Sequence, residues 1–230
     1  SGMSTIDEVL SEFLKDQRAR LSDRSYLRYE EVIDLFALSM NGHGANRLDD
    51  DDFRRWEKRF ELDEETAFTG LFGPDKIAEN VGEFLDYFMI RKVMASKELL
   101  KSAGTVTKKL AEWLGANGHV DPSTAAEMAA HGGTAAADLP AMDQLAGLLY
   151  DETRRLPDFD AAGIPDDHWV DDYLTITKVE PGRLWFDGLD APLVVSEATS
   201  QAARRGWSVN LEAVKLDTGW HPLEVGNVYP

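Results

Sequence analysis

The chain has 230 residues, of which 43% are hydrophobic, and a formal net charge of −18. This length suggests one or two globular domains, and so negative a charge argues against non-specific binding to nucleic acid or anionic lipid. Cysteine is absent, which excludes disulfides, thiolate metal sites and a cysteine nucleophile. The sequence also contains no long apolar run, and nothing after Met3 has the form of a signal peptide. We therefore expect a cytoplasmic protein.

Residues 3–120 are predicted to form a helical domain, because apolar residues recur there at helical spacing. Residues that can cap a helix stand before three of the predicted helices: Thr5, Ser22 and Ser96. The acidic run Asp49–Asp52 opens a further short helix, where acids suit the positive end of the helix dipole. We expect a long helix to begin at Pro74, and Gly104 to kink or break the helix that follows Ser96.

Residues 121–160 are predicted to form an Ala-rich helical extension. Asp121 and Pro122 are a typical helix start, with a cap followed by a first-turn proline. His131-Gly132-Gly133 is expected to end that helix, and Pro140 to begin another. Pro157 to Pro165 then has the composition of a linker.

Residues 166–230 are predicted to form a small β-barrel. Alternating and β-branched stretches indicate strands at 169–179, 183–186, 193–195, 207–216 and 220–229. A short helix capped by Ser196 separates the third strand from the fourth. Three strands, a helix and two strands is the order of an OB-like barrel, and an SH3-like barrel is the alternative. The predicted fold class is therefore α+β, an all-α helical bundle followed by a small barrel.

Two stretches of the first half, 21–44 and 84–120, resemble the SAM-like core-binding domain of tyrosine recombinases, the phage-type integrases. In the first, a small residue that caps a helix precedes a Tyr and then an aliphatic–aromatic pair. In the second, a Thr, a basic pair, a Leu and an aromatic residue precede a Gly stop. The matching residues here are Ser25, Tyr29, Leu35, Phe36, Thr107, Lys108, Lys109, Leu110, Trp113 and Gly118. The resemblance covers about half the chain and consists mostly of core and cap positions.

This resemblance implies a helical domain that holds DNA, without the chemistry of a recombinase. The family's catalytic domain carries a His-x-x-Arg motif, which this chain lacks, and the remaining residues are too few for that domain. We therefore carry over no catalytic residue. We expect DNA binding by an accessory or regulatory protein.

Basic residues on the predicted helices are the candidates for contact with nucleic acid. Arg24 and Arg28 are four residues apart, as are Lys97 and Lys101, so each pair shares a helix face on which phosphates can be neutralised. The full candidate set is Arg18, Arg20, Arg24, Arg28, Lys97, Lys101, Lys108 and Lys109. The alternative is a solvated face, on which these cations pair with neighbouring acids such as Asp23, Glu31 and Glu98.

Aromatic residues of the predicted barrel form a second candidate surface, because aromatic side chains on OB-type barrels can stack on bases. The candidates are Tyr173, Trp185, Trp207 and Trp220. The alternative is that these rings fill the core of a small barrel, or line a groove for a protein.

No catalytic or cofactor-binding constellation is recognised in the sequence. It has no phosphate-binding loop, no zinc-protease motif and no nucleophile elbow. The acids at 49–52 and the group Asp166, Asp167 and His168 lack a known metal-binding pattern. We therefore predict a protein with no metal, no cofactor and no enzymatic activity.

Two hypotheses about function lead, and an enzyme with an unrecognised site is a third possibility, for which a deep pocket with mutually oriented polar groups would be the first sign. The first is a non-catalytic DNA-binding accessory protein that uses the helical domain. The second is an acidic adapter that binds another protein and no nucleic acid. Convergence of the cations at 18–28 and 97–108 on one face favours the first, and their dispersal among acids favours the second. The sequence does not fix the oligomeric state.

Overall fold

A computed structural model describes residues 3–92 and 94–230. It divides into two compact units, Ser1–Leu139 and Pro140–Pro230. The division falls inside the segment that we predicted as an Ala-rich extension. Helices dominate the first unit and a five-stranded sheet dominates the described part of the second, which confirms the mixed α+β class.

Five helices of more than ten residues are found in the described part of the chain. They are α1 (Ile6–Arg18), α2 (Asp23–His43), α3 (Asp50–Leu62), α4 (Lys97–Ala116) and α5 (Pro122–Thr153). The predicted caps Thr5, Ser22 and Ser96 each accept a hydrogen bond from the backbone N–H three residues further on. The cap of α2 is thus Ser22, and Ser25 lies inside the helix. Among the described residues, no helix combines the length and apolarity that crossing a bilayer requires.

The predicted long helix from Pro74 is wrong. The segment consists of short helical pieces of different types. They are 3₁₀ turns at Pro74–Lys76 and Ala78–Asn80, α-helical turns at Val81–Glu83 and Met89–Arg91, and a π-helical turn, called the π-turn below, at Phe84–Phe88. The apolar spacing was nevertheless informative, because Ile77, Val81, Phe84 and Met89 are all buried.

The predicted breaks at Gly104 and at 131–133 are also wrong, since α4 and α5 are each continuous. Gly104 of α4 and Gly132 of α5 lie where the two helices touch. A Cβ on Gly104 would stand 2.2 Å from the backbone nitrogen of Ala136, and one on Gly132 would stand 2.7 Å from that of Lys108. These glycines are therefore required for the close approach of two backbones, not for ending a helix.

Aromatic residues form the centre of the first unit. Phe36 of α2 stacks on Phe84 with ring centroids 4.8 Å apart. Phe13 of α1 and Trp113 of α4 form a T-shaped pair with ring centroids 5.6 Å apart. Phe13, Phe36 and Phe84 are fully buried. Burying side chains of this size is the main stabilising contribution to such a bundle.

Five strands and one short helix of the second unit follow the predicted order closely. The strands are β1 (Trp169–Glu180), β2 (Arg183–Phe186), β3 (Leu193–Val194), β4 (Ser208–Leu216) and β5 (Gly219–Tyr229), with α6 (Glu197–Ala202) after β3. The strands pair in the order β1-β2-β3-β5-β4, and β4 returns to β1. Only the β3–β5 pairing is parallel among these strands. Ile176, Leu184 and Leu211 are buried within this sheet.

A buried carboxylate ties the end of α5 to the start of α6 within the second unit. Glu152 accepts hydrogen bonds from the backbone N–H of Ser196 at 2.8 Å and from the Thr199 hydroxyl at 2.7 Å. Burial raises the pKa of Glu152, but these hydrogen bonds stabilise its charged form and bring the net pKa below its ordinary value.

We expect Gly104→Ala to destabilise the first unit by about 3 kcal/mol or more, because the new Cβ overlaps the backbone of α5. Gly133→Ala is the matched control. A Cβ there meets only the Lys108 side chain at 3.8 Å, so this change should raise the free energy of unfolding by about 0.5–1 kcal/mol. Urea denaturation of both variants measures the difference. Equal effects of the two substitutions would contradict the close helix crossing.

We expect Glu152→Ala to cost about 1–3 kcal/mol at neutral pH, because it leaves two donors without their acceptor. Asp151→Ala, at the exposed neighbouring position, should be nearly neutral. The pKa of Glu152 is lowered on folding, so its stabilisation is present above the unfolded pKa and is lost as the pH falls through the folded one. The difference between wild type and Glu152→Ala in thermal unfolding should therefore shrink below about pH 4. A difference that stays constant at acidic pH would refute this role.

Candidate nucleic-acid interface

Helices α2 and α4 pack side by side in the first unit and bring the predicted cations partly together. Their caps, Ser22 and Ser96, start both helices shortly before the basic positions. Arg24 and Arg28 of α2 and Lys101 of α4 line one cleft of about 540 Å³. We call it the α2–α4 cleft. Its other lining residues are Ser25, Leu27, Tyr29, Glu31, Glu98, Ser102, Thr105 and Val106.

One carboxylate bridges the two arginines of the cleft. Glu98 lies 3.5 Å from the guanidinium of Arg24 and 3.4 Å from that of Arg28. Arg28 also contacts Glu31 at 3.0 Å. The side chain of Arg24 is 88% exposed and that of Arg28 only 27%, so Arg28 is held in place while Arg24 remains open to solvent. Exposed pairs of this kind contribute about 0–1 kcal/mol each, so a stronger anion can displace the carboxylate.

The other predicted cations lie outside this cleft. Arg18 pairs with Asp23 at 2.7 Å and stands over the ring of Tyr26, and Arg20 donates to the side chain of Gln17. Lys109 pairs with Glu112 on its own helix. Lys97 and Lys108 are exposed on α4. The cleft therefore gathers three of the eight predicted cations, and acids accompany several of the rest.

The predicted aromatic surface of the sheet is mostly unavailable for stacking. Trp207 and Trp220 are buried, so their rings present no face to a base, and the core-packing alternative holds for both. Trp185 is half-buried, its indole N–H donates to Glu180, and Lys178 stands over its ring at 5.8 Å. Tyr173 is the exposed member of the set, with its ring 6.0 Å from that of Tyr229.

Acidic residues at 49–52 and at 166–168, which we considered as metal ligands, make contacts within the protein. Asp49 caps α3 by accepting a hydrogen bond from the N–H of Asp52 at 2.8 Å. His168 contacts Asp167 at 3.9 Å. Throughout residues 3–92 and 94–230, no group of three or more His, Asp or Glu side chains is arranged to hold a metal ion.

A histidine–aspartate pair is a feature that the sequence analysis missed. Nε2 of His131 on α5 lies 2.8 Å from a carboxylate oxygen of Asp86 in the π-turn. This hydrogen bond raises the pKa of His131, against the lowering effect of burial. The two residues are 45 positions apart, so no local sequence pattern could have indicated the pair.

Comparison of the chain with protein-family models, with curated proteins and with solved structures gives no match.

We expect the His131–Asp86 pair to make the stability of the first unit dependent on pH. Because the pKa of His131 is raised on folding, its stabilisation is complete below the unfolded value of about 6.5 and is lost as the pH rises through the folded pKa. Thermal unfolding of wild type and His131→Asn between acidic and alkaline pH measures this effect. The difference in thermal stability between wild type and His131→Asn should be greatest at the acidic end, and Asp86→Asn, which removes the partner carboxylate, should abolish this pH dependence. A wild-type advantage that grows with pH would be inconsistent with the pair.

Proposed function

We propose that the protein is a non-catalytic DNA-binding accessory or regulatory protein, which contacts the phosphate backbone through the α2–α4 cleft. The observation that carries this proposal is that Arg24, Arg28 and Lys101 line one cleft, although more than seventy residues separate Lys101 from the arginines. Cations aligned in this way can neutralise successive phosphates.

Hydroxyl groups add to the suitability of the cleft for a phosphate backbone. Ser25, Ser102 and Thr105 lie on its walls, and serine and threonine hydroxyls are common partners of phosphate oxygens. Glu98, which contacts both arginines, occupies the place that a phosphate would take. Binding therefore requires this carboxylate to give up its arginines, and the negative charge of the whole chain opposes it further. We expect weak binding that depends on an additional partner or on local concentration.

The similarity to integrase core-binding domains supports the same proposal. The stretches that carry it include α2 and α4, the two helices that form the cleft. Under this proposal the chain retains the DNA-holding part of such a domain and carries out no strand cleavage, since it lacks the His-x-x-Arg motif.

We infer that the sheet of the second unit is of the OB type. The closed order β1-β2-β3-β5-β4 and the position of α6 between β3 and β4 support this choice over the SH3-like alternative. OB-type barrels bind oligonucleotides on the β2–β3 face and nearby loops. The aromatic residues of β2 are Trp185, which already contacts Glu180 and Lys178, and Phe186, which is buried. We therefore assign the proposed DNA contact to the helical unit.

The acidic adapter is the second candidate, and the arrangement of carboxylates on the sheet favours it. Asp171 on β1 lies directly opposite Glu212 on β4, which lies directly opposite Glu224 on β5. The three line a shallow cleft of about 210 Å³ together with Asn210. Like charges opposite one another destabilise a sheet, so a basic partner would relieve their repulsion.

Fluorescence anisotropy against short duplex and single-stranded DNA, over a range of salt concentrations, tests the DNA proposal. Wild-type binding should weaken with salt with a logarithmic slope of about −2 to −3, as three cations predict. Arg24→Glu/Arg28→Glu should abolish it. Glu98→Gln should tighten it by about threefold or more, because the arginines lose a competing anion.

The matched control is Glu112→Gln, which removes the same charge from the same helix at the Lys109 pair and should leave the affinity unchanged. Equal effects of Glu98→Gln and Glu112→Gln would mean that only net charge matters, and would overturn the assignment to the cleft. If neither DNA binds at the lowest salt concentration, the result would favour the acidic adapter instead.

A further inference from the structure

Helix α3 carries a row of aromatic side chains that its own chain leaves incompletely covered. Phe53, Trp56 and Phe60 follow one another along one face, with ring centroids 5.4 and 4.9 Å apart. None of the thirteen residues of α3, all of which the structure describes, is buried. Phe53 is 38% exposed. We call this row the α3 aromatic stripe.

The chain's own contacts with α3 lie along one flank of the stripe. Asp52 pairs with Lys76 at 3.2 Å, and Arg55 stands over the ring of Phe72 at 5.7 Å. The guanidinium of Arg59 lies beside Gly70, because a Cβ added to that glycine would be 3.2 Å from one of its nitrogens. Gly70, Phe72 and Lys76 therefore contact the helix from this side.

The other flank of the stripe is acidic. Asp50, Glu57 and Glu61 share the helix face next to the aromatic residues, and all three are exposed. Arg54 lies in the same row and is paired with Asp51 at 2.7 Å. Within the described part of the chain, none of the three acids takes part in an ion pair. An apolar row with a free acidic border is complementary to an apolar segment bordered by lysine or arginine.

We propose that the α3 aromatic stripe is the docking surface for a cationic amphipathic helix of another protein. The partner's apolar side chains pack on Phe53, Trp56 and Phe60, and its basic side chains pair with Asp50, Glu57 and Glu61. A second copy of this chain fits less well, because antiparallel pairing of two α3 helices would set one acidic border against the other. An anionic lipid surface is repelled by the same border.

The probe is a synthetic helical peptide of about five turns, labelled with fluorescein, with leucine on one face and lysine on both flanks. A second peptide keeps the leucines and carries glutamate in place of lysine. At physiological salt the wild-type protein should bind the lysine peptide at least about tenfold more tightly than the glutamate peptide. Fluorescence anisotropy gives both affinities.

Two double variants separate the apolar from the ionic contribution. Phe53→Ala/Phe60→Ala should weaken binding of the lysine peptide by about tenfold or more, since aromatic anchors dominate such interfaces. Glu57→Lys/Glu61→Lys should remove the preference for the lysine peptide. Glu12→Lys/Glu127→Lys changes the net charge equally at exposed positions outside α3, and should retain that preference.

Circular dichroism thermal melts check that the variants stay folded, which we expect because none of the residues changed is buried. The proposal is overturned if wild type shows no preference between the peptides, or if the aromatic variant melts normally and binds as wild type does. It is also overturned if light scattering shows that wild type is a dimer that Phe53→Ala/Phe60→Ala converts to a monomer. In that case the occupant of the stripe is a second copy.

Discussion

The close crossing of α4 and α5 at Gly104 and Gly132 is the constraint on which the arrangement of the first unit depends. Because neither residue has a Cβ, the two backbones can touch there. This contact fixes one face of α4 against α5 and leaves Glu98 and Lys101 toward α2. The cleft that gathers Arg24, Arg28 and Lys101 is a consequence of that orientation, because the cations come from helices that the sequence separates widely.

The shared carboxylate of Glu98 determines what this cleft can do. With Glu98 in contact with both arginines, the cleft is a surface ion cluster of the kind that contributes little to stability. Displacement of that carboxylate by a phosphate would turn the same side chains into an anion site. Under the proposed DNA-binding function, this cleft would give an acidic chain a local site for a phosphate backbone despite its overall charge. The α3 aromatic stripe adds a separate apolar surface on the same unit.

Much of the fold could be predicted because it is encoded locally. Ser22, Ser96 and Ser196 cap their helices as expected, and the alternation of apolar and polar residues located the five strands within a residue or two.

The predictions failed where contacts between residues distant in the sequence determine the local structure. The sequence His131-Gly132-Gly133 predicted a helix end, although Gly132 allows the close crossing with α4. The apolar spacing of 77–89 matched a regular helix, but the backbone there forms mixed turns. Likewise, spacing placed Arg24 and Arg28 on one face, but nothing local indicated that Glu98 would bridge them or that Asp86 would meet His131.

The most direct test of the cleft is NMR of the arginine side chains in ¹⁵N-labelled protein titrated with a short DNA duplex. The account predicts that the Nε–Hε resonances of Arg24 and Arg28 shift progressively with added duplex, while those of Arg54 and Arg55, which pair with acids on α3, stay unchanged. Assignment follows from the single Arg→Lys variants. Unchanged resonances for Arg24 and Arg28, or shifts of equal size at Arg54 and Arg55, would contradict it.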